Sequence, residues 1–140
     1  MSRETLYKEV LLDHFHHPRN KADLSNAQAV ARGSNPRCGD EIEVGVDVDG
    51  DRLSRVRFRG RGCSVCIASA SMMTEAVSGE PVTAARELAN EMKQWFEPNG
   101  DRLSEPPQRL EALSAVRVYP ARRRCVLLSW EALTDAIDAL

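Results

Sequence analysis

Four cysteines hold most of the reactive chemistry open to this chain: Cys38, Cys63, Cys66 and Cys125. As thiolates they can ligate metals or attack electrophilic sulfur. Their settings are marked: Pro36-Arg37-Cys38-Gly39-Asp40, Arg61-Gly62-Cys63-Ser64-Val65-Cys66 and Arg122-Arg123-Arg124-Cys125. Glycines and arginines beside thiols imply turns and electropositive surroundings, which favour thiolate. The plain alternative for any single cysteine is a small buried hydrophobe. Zinc takes four ligands in a tetrahedron and accepts a carboxylate among them, so two sites are open. One uses Cys38, Cys63, Cys66 and Cys125; in the other, Asp40 replaces Cys66. The Cys63/Cys66 pair has single companions, unlike the two-pair pattern of a zinc ribbon. A four-thiolate site would be closed and structural, whereas an oxygen ligand that can leave makes the second site less inert. Asp40 can also be read as a turn residue after Gly39.

These residues must be positioned by the elements around them. Thr5 to His16 reads as an amphipathic helix with Leu6, Val10, Leu11 and Phe15 near helical spacing, stopped by Pro18. Lys21 to Pro36 lacks a clear period and reads as a loop. Ile42, Val44, Val46 and Val48 alternate with Glu43, Gly45, Asp47 and Asp49, which predicts a half-buried strand. Asp49-Gly50 marks a hairpin turn. The return strand, Leu53 to Arg61, sets Val56 and Phe58 against Arg55, Arg57 and Arg59 on a wet face. Cys63 to Ser78 is rich in Ala, Ser and Met and ends at Gly79, predicting a closely packed helix. Thr83 to Phe96 is a second helix, with Leu88, Met92, Trp95 and Phe96 on one face. Glu97 to Gln108 holds three prolines and a glycine and reads as a loop. Leu110 to Leu113 predicts a short helical turn. A last helix starts after Pro120 and runs to Leu140, with Val126, Leu127, Trp130, Leu133 and Ile137 inward. Cys38 then lies in the loop before the first predicted strand, Cys63 where a strand yields to a helix, and Cys125 near a helix start. Helix N-termini stabilise thiolates through the peptide dipoles. The order of elements is an α+β pattern that could bring the three loops to one end.

The 140 residues carry 19 basic and 21 acidic side chains, with 42% hydrophobic residues. That length suits one domain, 1–140. The near-neutral balance gives no general attraction to nucleic acid or anionic membrane. The longest uncharged stretch, Gly62 to Thr74, is too short to span a bilayer, and no apolar stretch follows Met1-Ser2-Arg3-Glu4 as a secretion signal would require. The expected location is cytoplasmic, where thiols stay reduced.

Asp13-His14-Phe15-His16-His17-Pro18-Arg19-Asn20, Asn35-Pro36-Arg37-Cys38-Gly39-Asp40, Gly60-Arg61-Gly62-Cys63 and Pro120-Ala121-Arg122-Arg123-Arg124-Cys125 occur in that order across nearly the whole chain. With them the sequence resembles the IscU/NifU-type iron–sulfur cluster assembly family. It is most similar to the SufU-like branch, on three counts. Arg124 stands where IscU-type scaffolds carry histidine, an extra segment lies between Gly79 and Val116, and Ala68-Ser69-Ala70-Ser71-Met72-Met73-Thr74 is SufU-like. The resemblance implies a three-stranded antiparallel sheet packed against helices, with a metal site at one end. It implies zinc on Cys38, Asp40, Cys63 and Cys125. It also implies acceptance of persulfide sulfur by Cys38 from a SufS-like, pyridoxal-phosphate cysteine desulfurase, for delivery to a SufBCD-like scaffold complex. The activity would be that of a zinc-dependent sulfurtransferase rather than a conventional enzyme. Arg124 is the first choice of helper; the plain reading of the three arginines is a solvated helix end. Cys66 is a departure, since SufU-like proteins carry a small residue such as serine there, and its spare thiol could exchange with Cys63. The alternatives are an IscU-type scaffold holding iron or a [2Fe–2S] cluster on the same cysteines, and a structural zinc module for protein contacts. His14, His16 and His17 are read as structural.

Overall fold

The computed structural model describes residues 2–97 and 108–140. The expected loop over Glu97–Gln108 lies largely outside the described residues. The elements run α1 (Arg3–His16), β1 (Ala29–Asn35), β2 (Asp40–Asp49), β3 (Arg52–Arg61), α2 (Ser64–Val77), α3 (Val82–Trp95), a 3-10 segment (Gln108–Val116) and α4 (Pro120–Asp138). The three strands form one antiparallel sheet in the order β1-β2-β3. This is the α+β, three-stranded fold that the resemblance implied. No helix among the described residues is long and apolar enough to cross a membrane.

The β2–β3 hairpin follows from its alternation: Ile42, Val44, Val46, Val56 and Phe58 are fully buried beneath α2 and α4. Gly50 closes its turn at φ +65°, which glycine adopts without steric cost. The wet face is incomplete, because Arg57 is only 5% exposed. Its guanidinium donates to Asp47 Oδ2 and to the Asp23 carbonyl, both at 3.1 Å. The chain at 20–22 has crossed over to pair with β3 through Asn20, Ala22 and Phe58, drawing Asp23 over that face.

β1 corrects the loop expected over Lys21–Pro36. Its inward positions hold Ala29, Ala31, Gly33 and Asn35, residues too small or polar to register as a hydrophobic alternation. The small size is what the packing needs, since a Cβ on Gly33 would stand 2.9 Å from Leu128 of α4. Cys38 therefore lies in the β1–β2 turn, not before the first strand. α1 turns only part of its expected face inward: Leu11 and Phe15 pack on the core, joined by Tyr7 and buried His14, while Leu6 and Val10 are exposed.

The small-residue helix α2 is the central joint. Ser69, Ser71 and Thr74 are fully buried, and each has a partner, as buried polar groups require. Ser69 donates to the Val126 carbonyl of α4 at 2.7 Å. Ser71 Oγ lies 2.7 Å from His14 Nδ1 and accepts from the Arg19 amide at 2.8 Å. Thr74 Oγ1 donates to the Ser71 carbonyl at 2.8 Å and lies 3.1 Å from Asn20 Nδ2, whose amide donates to it. α2 is thus pinned to α1 on one side and α4 on the other.

Candidate metal centre

Three stretches far apart in sequence meet where β2 begins and α2 and α4 start. Cys38 is carried by the tight turn from β1 to β2, in which its amide donates to the Asn35 carbonyl at 3.1 Å and Gly39 adopts φ +70°. The thiol is exposed. Asp40 is the first residue of β2, paired with Asn35, and only 2% exposed. It is a buried strand residue rather than an exposed turn residue. Cys63 is the N-cap of α2 and half-buried; Cys125 lies in the second turn of α4 and is fully buried.

Ligand atoms of Cys38, Asp40 and Cys125 all lie within 4.8 Å of one another. Sulfurs around a tetrahedral zinc stand about 3.8 Å apart, given Zn–S bonds of about 2.3 Å. The group is thus close to a ligand shell and needs only a small contraction. The Cys63 thiol is outside that tightest group but close enough to influence the Cys125 thiol electrostatically. Its backbone also holds the carboxylate, because the Cys63 amide donates to Asp40 Oδ1 at 3.0 Å. Asp40 Oδ2 is buried with no hydrogen-bond partner. A buried carboxylate oxygen left unpaired is costly, and a cation beside it removes the cost. The donor set and this oxygen fit a zinc ion.

Gly62 makes the approach possible. A Cβ there would stand 2.7 Å from Asp40 Oδ1 and 3.1 Å from the Cys66 sulfur. Cys66 itself is fully buried. Burial pushes its thiol pKa strongly up, and the Asp40 carboxylate adds to the effect. Burial likewise raises Cys125, and the neighbouring Asp40 carboxylate and Cys63 thiol add to the effect. Cys125 therefore has to give up a proton to bind metal, as thiol ligands do.

Arg124 and Arg122 are both exposed on the first turns of α4, but they differ in what they reach. The guanidinium that interacts with the sulfurs is that of Arg122: Cys63 and Cys125 raise its pKa through charge and hydrogen bonding. The helical period is the signal, since Arg122 lies one turn before Cys125, whereas Arg124 is rotated about 100° from it. Gly62 is legible in sequence as part of the Gly60-Arg61-Gly62-Cys63 motif, but its role depends on an approach to Asp40 and Cys66 that only the fold creates.

Residues 6–139 match the NifU-like N-terminal domain. The chain is similar to the zinc-dependent sulfurtransferase SufU of Bacillus subtilis, at 38% identity over 96% of this chain and 90% of the relative. It is similar to the iron–sulfur cluster assembly scaffold protein IscU of Streptococcus pyogenes, at 35% identity over 94% and 82%. Its fold matches the crystal structure of a protein from Fervidobacterium islandicum AW-1, proposed to be an iron–sulfur cluster assembly scaffold for the SUF system. That match has TM-score 0.80 and 27% identity, over 97% of this chain and 99% of the other.

Proposed function

Because this chain belongs to the NifU-like N-terminal domain family of SufU and IscU proteins, we propose that it is a zinc-dependent sulfur carrier for iron–sulfur cluster assembly, with Cys38 as acceptor. The observation that carries the reading is an exposed thiol on a tight turn whose sulfur also belongs to a buried ligand cluster. The residues proposed to hold zinc are Cys38, Asp40, Cys63 and Cys125. Zinc, when bound, supplies the positive charge that keeps such sulfurs deprotonated at neutral pH.

The chain's own residues divide the remaining work. Cys38 is the one cysteine of the four that is exposed, so an incoming persulfide meets it first. Its thiolate attacks the terminal sulfur of the donor persulfide; the donor's S–S bond breaks and the donor cysteine leaves as thiolate. Cys38 then carries the persulfide, to be passed on by the same exchange. Asp40 stays behind, anchored by the Cys63 amide. Arg122 offers its cation to the sulfurs left in the site, and Arg124 adds positive charge to the exposed start of α4. The proposed donor is a SufS-like, pyridoxal-phosphate cysteine desulfurase and the proposed recipient a SufBCD-like complex, in the cytoplasm.

The test is sulfide release from cysteine by the desulfurase, with and without this protein. Wild type raises turnover and gains one sulfur on the tryptic peptide Cys38–Arg52; Cys38→Ala abolishes both. A fully active Cys38→Ala, with the added sulfur only on the peptide starting at Cys125, overturns the reading. The purified protein is expected to be colourless with bound zinc. A brown protein with inorganic sulfide would favour the scaffold role of IscU.

A further inference from the structure

Sulfur acceptance at Cys38 gives no role to Cys66, although Cys63 and Cys66 form a C-x-x-C pair at the start of α2. Cys63 is the half-buried N-cap, with φ −66° and ψ 167°, and its side chain makes no capping hydrogen bond. Cys66 follows in the first turn and is fully buried. Helical geometry sets Cα atoms three residues apart at about 5 Å, inside the span of about 4.4–6.8 Å that a disulfide bridges. A second observation gives the direction of the inner sulfur. A Cβ on Gly62 would meet Cys66 Sγ at 3.1 Å, so this sulfur is turned back toward the Gly62-Cys63 backbone. An external sulfur compound can therefore reach Cys63 but not Cys66, while Cys66 can reach Cys63.

We infer that Cys63 and Cys66 form a reversible dithiol–disulfide site, with Cys63 as the attacking cysteine and Cys66 as the resolving one, oxidised by low-molecular-weight disulfides of the glutathione type. The Cys63 thiolate attacks one sulfur of the oxidant, whose S–S bond breaks and whose other half leaves as thiolate. The Cys66 sulfur then attacks Cys63 in the mixed disulfide, and the second half leaves as thiolate. The two cysteines lose two protons and two electrons, and the oxidant gains both electrons and departs as two thiols. A dithiol reductant reverses the sequence. For its consequence alone the inference rests on the proposed zinc set: a Cys63 held in a disulfide has no thiolate to offer a metal. Closing that disulfide would then remove one ligand of the centre while leaving Cys38 outside the bond.

Trypsin separates the possibilities, because Cys63 and Cys66 share the peptide Gly62–Arg86 while Cys38 and Cys125 fall in two others. Full-length protein, stripped of metal by a chelator and incubated with glutathione disulfide, is expected to lose two hydrogens from Gly62–Arg86. Dithiothreitol should restore them. Cys66→Ala and Cys66→Ser should stop at a glutathione adduct on Cys63. Zinc added first should slow closure several-fold. Closure at an unchanged rate with zinc present supports the dithiol site and refutes Cys63 as a metal ligand. A disulfide joining Gly62–Arg86 to either other peptide, or a wild type that stops at the mixed disulfide, overturns the inference.

Discussion

Replacing Asp40 by asparagine separates what its carboxylate does for the fold from what it does for a metal. In the metal-free protein one oxygen accepts from the Cys63 amide at 3.0 Å and the other is buried without a partner. Asparagine keeps an acceptor for the amide, but trades a charged hydrogen bond worth about 1.5–3 kcal/mol for a neutral one worth about 0.5–1.5 kcal/mol. That is a loss of roughly 1 kcal/mol. Against it stands relief of a buried, unpaired charge, in part offset because the asparagine Nδ2 takes that place with donors of its own to satisfy, at a cost of about 1–3 kcal/mol if they stay unpaired. The net effect is within about 1 kcal/mol of zero, or a few degrees in Tm for a chain of this size. With zinc the balance turns against the variant, because an anionic ligand is gone and ligand-linked stabilisation falls with affinity. The assay is thermal unfolding of wild type and Asp40→Asn, each with chelator and with zinc. The expected result is a Tm within a few degrees of wild type for the variant in chelator and a much smaller rise on adding zinc. A variant that melts about 10 °C lower in chelator yet keeps the full rise with zinc would show the carboxylate to be a structural anchor, and the reasoning would fail.

Arg122→Ala should weaken zinc retention and slow alkylation of metal-free Cys63, by up to about fivefold, the scale of an exposed charge contact near 1 kcal/mol. Arg124→Ala should leave both unchanged, and equal effects from the two would refute the helical-phase argument. His14 is held below its ordinary value of 6.5, by burial first and by Arg19 next, against the opposing pull of Glu75 and Asp13. Below that ordinary value the unfolded chain takes up the proton before the native chain does. The stability from neutral His14 is therefore complete above it and lost as pH falls toward the lowered native value. Urea unfolding across this range should show a shallower pH slope for His14→Gln than for wild type; identical slopes would remove His14 from the account.

The β2–β3 hairpin was legible because its inward residues are valines, isoleucine and phenylalanine in strict alternation. β1 was not, because Ala29, Ala31 and Gly33 bury little apolar surface themselves and act by letting α4 come close. On α1, Leu6 and Val10 suggested the buried side, yet the inward position one turn from Leu11 is taken by His14, satisfied by Ser71. A buried polar pair of that kind leaves no trace in a hydrophobic pattern. At the candidate centre, the cysteines and Asp40 were readable as residue types. What was hidden was the unpaired Oδ2, the closeness of Gly62 and the choice among three arginines, all of which arise from elements brought together by folding.

The same distribution of ligands along the chain has a consequence for biosynthesis. Cys38, Asp40 and Cys63 leave the ribosome well before Cys125, which follows Cys63 by 62 residues. At about 5–20 residues per second that delay is roughly 3–12 s. During it the sheet lacks the cover of α4, and Asp40 faces solvent water that can hydrate both its oxygens. Only when Val126 and Leu128 seal the sheet do the carboxylate and Cys125 become a desolvated pair in need of a cation. On the proposed ligand set, metal binding would thereby be deferred to the end of folding, because the nascent chain holds only part of the donor set until Cys125 arrives.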